Sequence, residues 1–178
     1  MIKKAEYDLA VKRTLDAFAD AGIILTDEEK KKIEVADFGL GRLEEIGLEI
    51  LTYINTERVC AKEMVLFPNQ TCPEHRHIGT ADRLGKQETF RVRRGKVFLY
   101  VPGEGKAEDI NGKMPSTKVH VFHEIALSAG EQYTLYPDTW HWFQAGKEGA
   151  IVSEFSTMST DETDVFFDEA ITRAPEVE

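Results

Sequence analysis

The chain has 178 residues, of which 42% are hydrophobic and 30% are charged, and its formal net charge is −10. This length predicts one domain that buries roughly 70% of its unfolded surface and needs no disulfide cross-link. The acidic balance argues against nucleic acid and anionic membranes as partners, and more weakly against a phosphorylated substrate.

A cytoplasmic location is predicted for the protein. Residues 1–8 lack the apolar core of a signal peptide, and no run approaches the length of a transmembrane helix. The two cysteines, Cys60 and Cys72, form no Cys-x-x-Cys pair. We therefore expect both to be free thiols in a reducing compartment.

Two helices are predicted near the amino terminus. The first spans Glu6–Ala21 and ends at Gly22, a residue type that favours helix C-caps. The second begins at Thr26, where Glu29 completes a capping box, and runs through Ile33. The apolar residues of the first helix recur at helical spacing: Tyr7, Val11, Leu15 and Phe18.

After Gly47 the apolar period changes to two, which predicts β-strands. Many short strands separated by turn residues are typical of an all-β antiparallel sandwich or barrel of jelly-roll type. We therefore expect a single structural domain. Residues 47–178 would form the barrel, and residues 1–46 a helical extension that packs on the barrel or on a partner subunit.

A His-x-His pair, His75 and His77, is the first candidate for a metal site. In an extended strand, side chains two residues apart point to the same face, so both imidazoles aim at one point. Such a pair alone is more often solvated or structural than metal-binding. Glu88, brought back by a polar loop over residues 78–87, and His141, after a turn at Pro137, add a carboxylate and a third imidazole. This set suits Mn, Fe, Co, Ni or Zn and leaves coordination positions for a substrate.

Three further residues are weighed as parts of the same site. Phe143 shares a strand face with His141 and is expected to line the site. His123 alternates with apolar residues over Lys118–Leu127. The commoner explanation for this pattern is a core histidine whose polar atoms are hydrogen-bonded, and the more specific one is a histidine that contacts the substrate. Cys72 is interpreted as a small buried side chain in preference to a thiolate ligand.

The segments around these residues carry further expectations. Gly95 is expected to form a turn between a strand that begins at Glu88 and a buried strand over Val97–Val101. Glu154 lies within the apolar run Ala150–Phe155, and a buried glutamate is uncommon unless it is paired or functional. The alternative is a solvent-facing glutamate on an edge strand. The apolar patch Val165–Phe167 is expected to pack on the barrel or on a second subunit.

The residues of the candidate site resemble the two motifs of the cupin superfamily. The segment between His77 and Glu88 is longer than in the common cupin pattern, and Thr139 stands where a glycine is usual. The motif positions are His75, His77, Glu88 and Gly95, then Gly130, Pro137 and His141. More closely, four runs resemble the D-lyxose isomerases, which are small cupin sugar isomerases: Leu66–His77, Gly85–Phe90, His141–Gly146 and Val152–Ser156.

The resemblance implies a metal-dependent aldose–ketose isomerase in a cupin barrel. Its substrate would be a free sugar, D-lyxose going to D-xylulose and also D-mannose to D-fructose, through a metal-stabilised cis-enediolate. It assigns the proton transfer between C2 and C1 to Glu154, and a polarising or substrate-binding role to Lys86. The cofactor would be a divalent cation, with manganese preferred, and the protein would be a homodimer.

Three other functions are compatible with the same residues. A cupin phosphosugar isomerase would need cationic or hydroxyl side chains converging on a phosphate. A metal-dependent cupin dioxygenase would use the same ligands but would require oxygen. A non-enzymatic sugar-binding cupin would bind without turnover.

Overall fold

The computed structural model describes residues 2–173 and 177–178. Two short 3₁₀ turns, at Ala107–Asp109 and Asp161–Thr163, lie between the main elements. The helices and strands in chain order are α1 (Lys4–Asp20), α2 (Asp27–Lys30), β1 (Glu34–Ala36), β2 (Leu48–Asn55), β3 (Cys60–Leu66), β4 (Thr71–Arg76), β5 (Glu88–Val101), β6 (His123–Ser128), β7 (Gln132–Leu135), β8 (His141–Ser156) and β9 (Val165–Phe166).

The first helix agrees with its sequence pattern. Ala10 and Phe18 of α1 are buried in a cluster that also contains Val65 and Ile151 of the sheet. The helix ends before Gly22, whose φ of 71° lies in the left-handed region that favours glycine. Among the described residues, no helix is both long and apolar enough to cross a membrane.

The second helix is shorter than predicted. The capping box forms, because the Thr26 hydroxyl accepts a hydrogen bond from the Glu29 amide and the Glu29 carboxylate accepts one from the Thr26 amide. However, α2 ends at Lys30 and buries none of its four residues, so the prediction that the helix runs through Ile33 was wrong. The chain must leave the helix there because Ile33 enters the core and β1 begins at the next residue.

The described strands form one curled antiparallel sheet. Along one path the order is β1-β2-β3-β8-β4-β9, and β5 joins it by pairing with β6, β7 and β8. The expected all-β barrel with helices at the amino terminus is confirmed. β1 pairs with β2 although it lies within residues 1–46, so this extension also contributes a strand to the sheet.

Two strands, β5 and β8, are longer than the sequence pattern indicated. β5 continues through Gly95, and β8 joins His141–Phe143 to Ala150–Phe155 without a break. The expectation of a turn at Gly95 was therefore wrong. The pairing of the two strands shifts register on both sides of Gly95, which is the signature of β-bulges that bend a strand without ending it. β5 and β8 therefore form the curved centre of the sheet.

The interior of the sheet and its helix-covered face have separate apolar clusters. The interior cluster includes Ile50, Met64, Phe90, Leu99 and Phe143. Because alternate residues of a strand point to opposite faces, β3 and β8 contribute to both clusters: Met64 and Val152 to the interior, and Val65 and Ile151 to the helix-covered face. The candidate site lies among the interior residues, where water is largely excluded.

We predict that Gly95→Ala destabilises the protein more than Gly130→Ala does. Both glycines have positive φ, 75° and 93°, so both substitutions place alanine in an unfavourable backbone conformation. A Cβ at Gly95 would also lie 2.1 Å from the Gly149 carbonyl oxygen, whereas a Cβ at Gly130 meets nothing within 4 Å. We expect an additional loss of about 2 kcal/mol at Gly95, measured by urea unfolding. Equal losses would show that the close approach between position 95 and the Gly149 carbonyl can relax.

A buried carboxyl group, that of Glu49, lies where the amino-terminal segment meets the sheet. Its Oε1 accepts a hydrogen bond of 3.2 Å from Gln70, whose amide nitrogen also donates to the Leu43 carbonyl. No described residue forms a hydrogen bond with Glu49 Oε2. Burial in these surroundings raises the pKa of Glu49 to about 8. The folded protein therefore holds a proton on Glu49 at neutral pH.

We predict that Glu49→Gln removes a pH-dependent loss of stability. A carboxyl whose folded pKa is about 8 and whose unfolded pKa is near 4.5 binds more protons in the folded state between these values. The wild-type protein should therefore lose stability as pH rises through this range, and the glutamine variant should lose less. Thermal unfolding at several pH values measures the difference. Parallel pH profiles for the two proteins would mean that Glu49 is ionised in the folded state.

Candidate metal centre and the charges around it

Three buried imidazoles meet inside the barrel. β4 carries His75 and is followed directly by His77, while His141 begins β8. The pairing of β4 with β8 places His75 opposite His141. One ring nitrogen from each of the three side chains lies within 4.8 Å of the other two. The structure thus brings together the three histidines selected from the sequence.

Each imidazole has its Nδ1 directed away from the others. The Nδ1 of His75 lies 2.9 Å from the Pro73 carbonyl, and that of His141 lies 3.0 Å from the Thr139 carbonyl. The Nδ1 of His77 lies 2.5 Å from Oδ1 of Asp164. Oxygen acceptors at these positions require a proton on each Nδ1. The Nε2 atoms are thereby left to face the centre of the cluster.

Glu88 adds a carboxylate to this centre. Its Oε1 lies 3.2 Å from His77 Nε2 and 3.1 Å from His141 Nε2. Burial alone would raise the pKa of Glu88, but the Lys86 ammonium and His77 hold that pKa well below its usual range. Glu88 is therefore an anion, and the longer loop between His77 and Glu88 does not prevent it from reaching the cluster.

His75 and His77 differ in their protonation. Burial, reinforced by the neighbouring imidazoles, lowers the pKa of His75 well below its usual value, so this ring is neutral. Burial also disfavours charge on His77, but the Glu88 carboxylate outweighs it and raises the pKa of His77 to about 9. His77 must lose its Nε2 proton before this nitrogen can coordinate a cation.

The donor set fits a divalent cation. His141 Nε2 is buried, and no described residue forms a hydrogen bond with it, although a buried polar atom normally has a partner. Three imidazole nitrogens and one carboxylate oxygen would satisfy a transition metal. The hydrogen bonds on the three Nδ1 atoms are those that fix the orientation of metal-binding histidines in other proteins.

Lys86 lies between two carboxylates beside the cluster. Its Nζ is 2.7 Å from Glu88 Oε2 and 3.2 Å from Glu154 Oε1, and all three side chains are at most 4% exposed. Burial opposes the charge of Lys86, but the two carboxylates raise its pKa well above the usual value. Glu154, on β8, also accepts a 3.0 Å hydrogen bond from the Ser156 hydroxyl. Glu154 is buried and not solvent-facing, which agrees with the alternative that this glutamate is paired or functional.

The structure adds further charged residues that the sequence analysis missed. Lys62, 4% exposed, lies 3.8 Å from Glu154 Oε1 and donates a 2.6 Å hydrogen bond to Asp161. Arg173 contacts the same Asp161 carboxylate and also pairs with Glu34. In the sequence, Lys62 shares a strand face with the apolar residues Met64 and Leu66, and this pattern could have indicated that Lys62 is buried. No local pattern marks Asp161 or Arg173.

Phe143, Cys72 and His123 have different positions relative to the site. Phe143 and Cys72 line the cavity beside the histidines, and burial raises the pKa of the Cys72 thiol well above its usual value, so it is neutral. His123 is exposed, and its Nδ1 lies 2.9 Å from the Glu104 carbonyl. The expectation that His123 faces the barrel interior was wrong, because β6 begins only at this residue and the preceding alternation is not strand.

The whole sequence was compared with known proteins. Residues 27–178 match the family model described as D-lyxose isomerase. The chain belongs to the D-lyxose isomerase family. A D-lyxose/D-mannose isomerase from Thermosediminibacter oceani is 56% identical over 100% of this chain and 99% of its own length. A D-lyxose ketol-isomerase from Cohnella laeviribosi is 54% identical over 99% of this chain and 98% of its own length.

Solved structures show the same fold as this member of the D-lyxose isomerase family. The L-ribose isomerase from Acinetobacter sp. DL28, in complex with L-ribose, has a TM-score of 0.77 at 16% identity and covers 99% of this chain and 98% of its own. The L-ribose isomerase from Cellulomonas parahominis has a TM-score of 0.76 at 17% identity, with the same coverage. At such low identity, the likeness concerns the fold alone.

We predict that His141→Ala abolishes tight binding of a divalent cation. The substitution removes one of the three imidazoles, that of the residue whose Nε2 lies 3.1 Å from Glu88 Oε1. His123→Ala is the matched control, because His123 is exposed and lies outside the cluster. Elemental analysis after dialysis should find metal in the wild-type protein and the control but not in His141→Ala. Equal metal content in all three would exclude this cluster as the site.

Proposed function

We propose that this protein is a metal-dependent aldose–ketose isomerase that converts D-lyxose to D-xylulose and, as a second reaction, D-mannose to D-fructose. The observation that carries the proposal is a buried cluster of three imidazoles and Glu88 directly beside the Lys86–Glu154 pair. The 56% identity to a D-lyxose/D-mannose isomerase supports the choice of substrate.

The cofactor is proposed to be a divalent cation, with Mn²⁺ preferred and Co²⁺, Ni²⁺, Fe²⁺ or Zn²⁺ as alternatives. His75, His77, His141 and Glu88 would hold it. A bound cation supplies Lewis-acid stabilisation of the negative charge that develops on the sugar oxygens O1 and O2. The four protein ligands contribute a single negative charge in total, so the site keeps a net positive charge when it is loaded.

Glu154 is proposed to move the proton. Lys86 and Ser156 both donate to its Oε1, and no described residue forms a hydrogen bond with Oε2. Oε2 is therefore the oxygen available to take the proton from C2 and return it to C1, while a second proton passes from O2 to O1. The two donors on Oε1 fix the orientation of the carboxylate, which is a requirement for efficient proton transfer.

Lys86 and Phe143 are proposed to position the substrate. The Lys86 ammonium is fixed between two carboxylates and is close enough to Glu154 to stabilise negative charge on the reacting part of the sugar. Phe143 packs against Phe90 with ring centroids 4.9 Å apart. This pair forms an apolar wall of the cavity that can contact the C–H groups of a sugar.

Assembly into a homodimer and a cytoplasmic location are further parts of the proposal. On the outer side of the sheet, Ile54 and Phe155 flank Ala61 on adjacent strands, and both are about half exposed. Apolar side chains in such an arrangement favour contact with a second subunit. Both cysteines are buried and free, which agrees with a reducing compartment.

We predict that metal-stripped protein isomerises D-lyxose under nitrogen after Mn²⁺ or Co²⁺ is restored. We also predict that Glu154→Gln loses at least about a hundredfold in kcat, because it removes the carboxylate proposed to transfer the proton. The variant should keep its metal, because Glu154 is not a proposed ligand. Glu63→Gln is the matched control: Glu63 is a buried glutamate on the neighbouring strand, and it binds the Ser153 hydroxyl. Ketose formation and metal content are measured for all three proteins.

Other outcomes would contradict the proposal. Full activity of Glu154→Gln would exclude the proton-transfer role. Saturation by a sugar phosphate but no free sugar would indicate a phosphosugar isomerase. A requirement for oxygen would indicate a dioxygenase, and sugar binding without any turnover would indicate a binding protein.

A further inference from the structure

The three histidines of the cluster are oriented in two different ways. His75 and His141 each contact the backbone carbonyl two residues earlier in the same segment. The orientation of these two rings is therefore set locally, wherever the strand forms. His77 instead contacts Asp164, a residue 87 positions away in the chain.

The contact between His77 and Asp164 follows from the strand register. β9 pairs with β4 so that Phe166 lies opposite His75 and Val165 opposite Arg76. The next positions in this antiparallel register are His77 and Asp164. Residues directly opposite each other in such a pair project to the same face. Asp164 is thereby directed at His77, and its side chain is only 6% exposed.

The segment that carries Asp164 is attached to the barrel at several points. Phe167 donates its amide hydrogen to the Glu74 carbonyl, and the Phe166 ring packs 5.6 Å from that of His75. On the other side of Asp164, Asp161 accepts a hydrogen bond from Lys62. These contacts leave Asp164 little freedom to turn away from the imidazole.

We infer that Asp164 is a positioning residue for metal binding, which holds the His77 ring with its Nε2 towards the centre and strengthens this nitrogen as a donor. The inference rests on the proposed function, because it assumes that the cluster binds a cation. It adds a requirement that the histidine motif does not contain: the segment Asp161–Phe166 must be docked on β4 before the third imidazole is ready to coordinate. Removal of a carboxylate in this position costs about 10- to 100-fold in metal affinity in other proteins.

The test compares Mn²⁺ affinity in the full-length wild-type protein, Asp164→Ala, Asp164→Asn and Asp168→Ala. Asp164→Ala should weaken binding by about 10- to 100-fold, and Asp164→Asn, which keeps an acceptor oxygen but no charge, by less. Asp168→Ala is the matched control. Asp168 lies two residues beyond β9 and accepts hydrogen bonds from the Lys118 and Ala170 amides, so its loss removes a nearby carboxylate but none of the contacts described for Asp164.

Two readouts separate positioning from general destabilisation. Free Mn²⁺ is measured by electron paramagnetic resonance, and the visible absorption bands of the Co²⁺-loaded proteins report the geometry of the ligands. We expect both to change in Asp164→Ala and neither to change in Asp168→Ala. Circular dichroism establishes that each variant is folded, and Asp164→Asn serves as the test if the alanine variant does not fold.

The possible failures are distinguishable. If the wild-type protein binds Mn²⁺ and isomerises D-lyxose while Asp164→Ala and Asp164→Asn bind with unchanged affinity, the inference about Asp164 is wrong and the proposed function stands. An equal loss in Asp168→Ala would also overturn it, because the effect would then not depend on the carboxylate that contacts His77. If the wild-type protein binds neither Mn²⁺ nor Co²⁺, the proposed metal site itself is wrong.

Discussion

The pairing of β8 with three other strands is the constraint on which the candidate site depends. The first part of β8 lies between β4 and β5, and its second part lies between β3 and β5. His141 at its start is thereby placed opposite His75, and Glu154 near its end opposite Lys62 and Phe90. One continuous strand thus connects the metal centre to the proposed proton-transfer group, and the bulges at Gly95 allow β5 to follow its curve.

Burying so many charges would destabilise the fold unless each had an opposite charge beside it. The structure meets this condition with an alternating series from the cluster to the surface. Glu88, Lys86, Glu154, Lys62, Asp161, Arg173 and Glu34 follow one another, with each cation lying between two anions. The series also keeps Lys86 charged and in a fixed place inside a dry cavity. Electrostatic stabilisation of a reaction requires such preorganised charges.

The carboxy-terminal segment completes the site although it lies outside the two histidine motifs. Asp161 and Arg173 belong to the charge series, Asp164 contacts His77, and Phe166 packs against His75. The pairing of the short strand β9 with β4 sets the register that places Phe166 opposite His75 and brings Asp164 to His77. The expected packing of the Val165–Phe167 patch on the barrel is confirmed for Phe166, which joins the interior core.

Local patterns determined much of this protein. The spacing of His75 and His77 in a strand, the capping box at Thr26 and the apolar run around Glu154 each depend on neighbouring residues, and the all-β barrel followed from many such patterns. Tertiary structure alone decided the role of Gly95 and the positions of Lys62, Asp161 and Asp164. It also decided the exposure of His123. The physical reason is that these features arise from pairing and charge contacts between segments distant in sequence. Alternation along one strand specifies a face but not which strand will lie beside it.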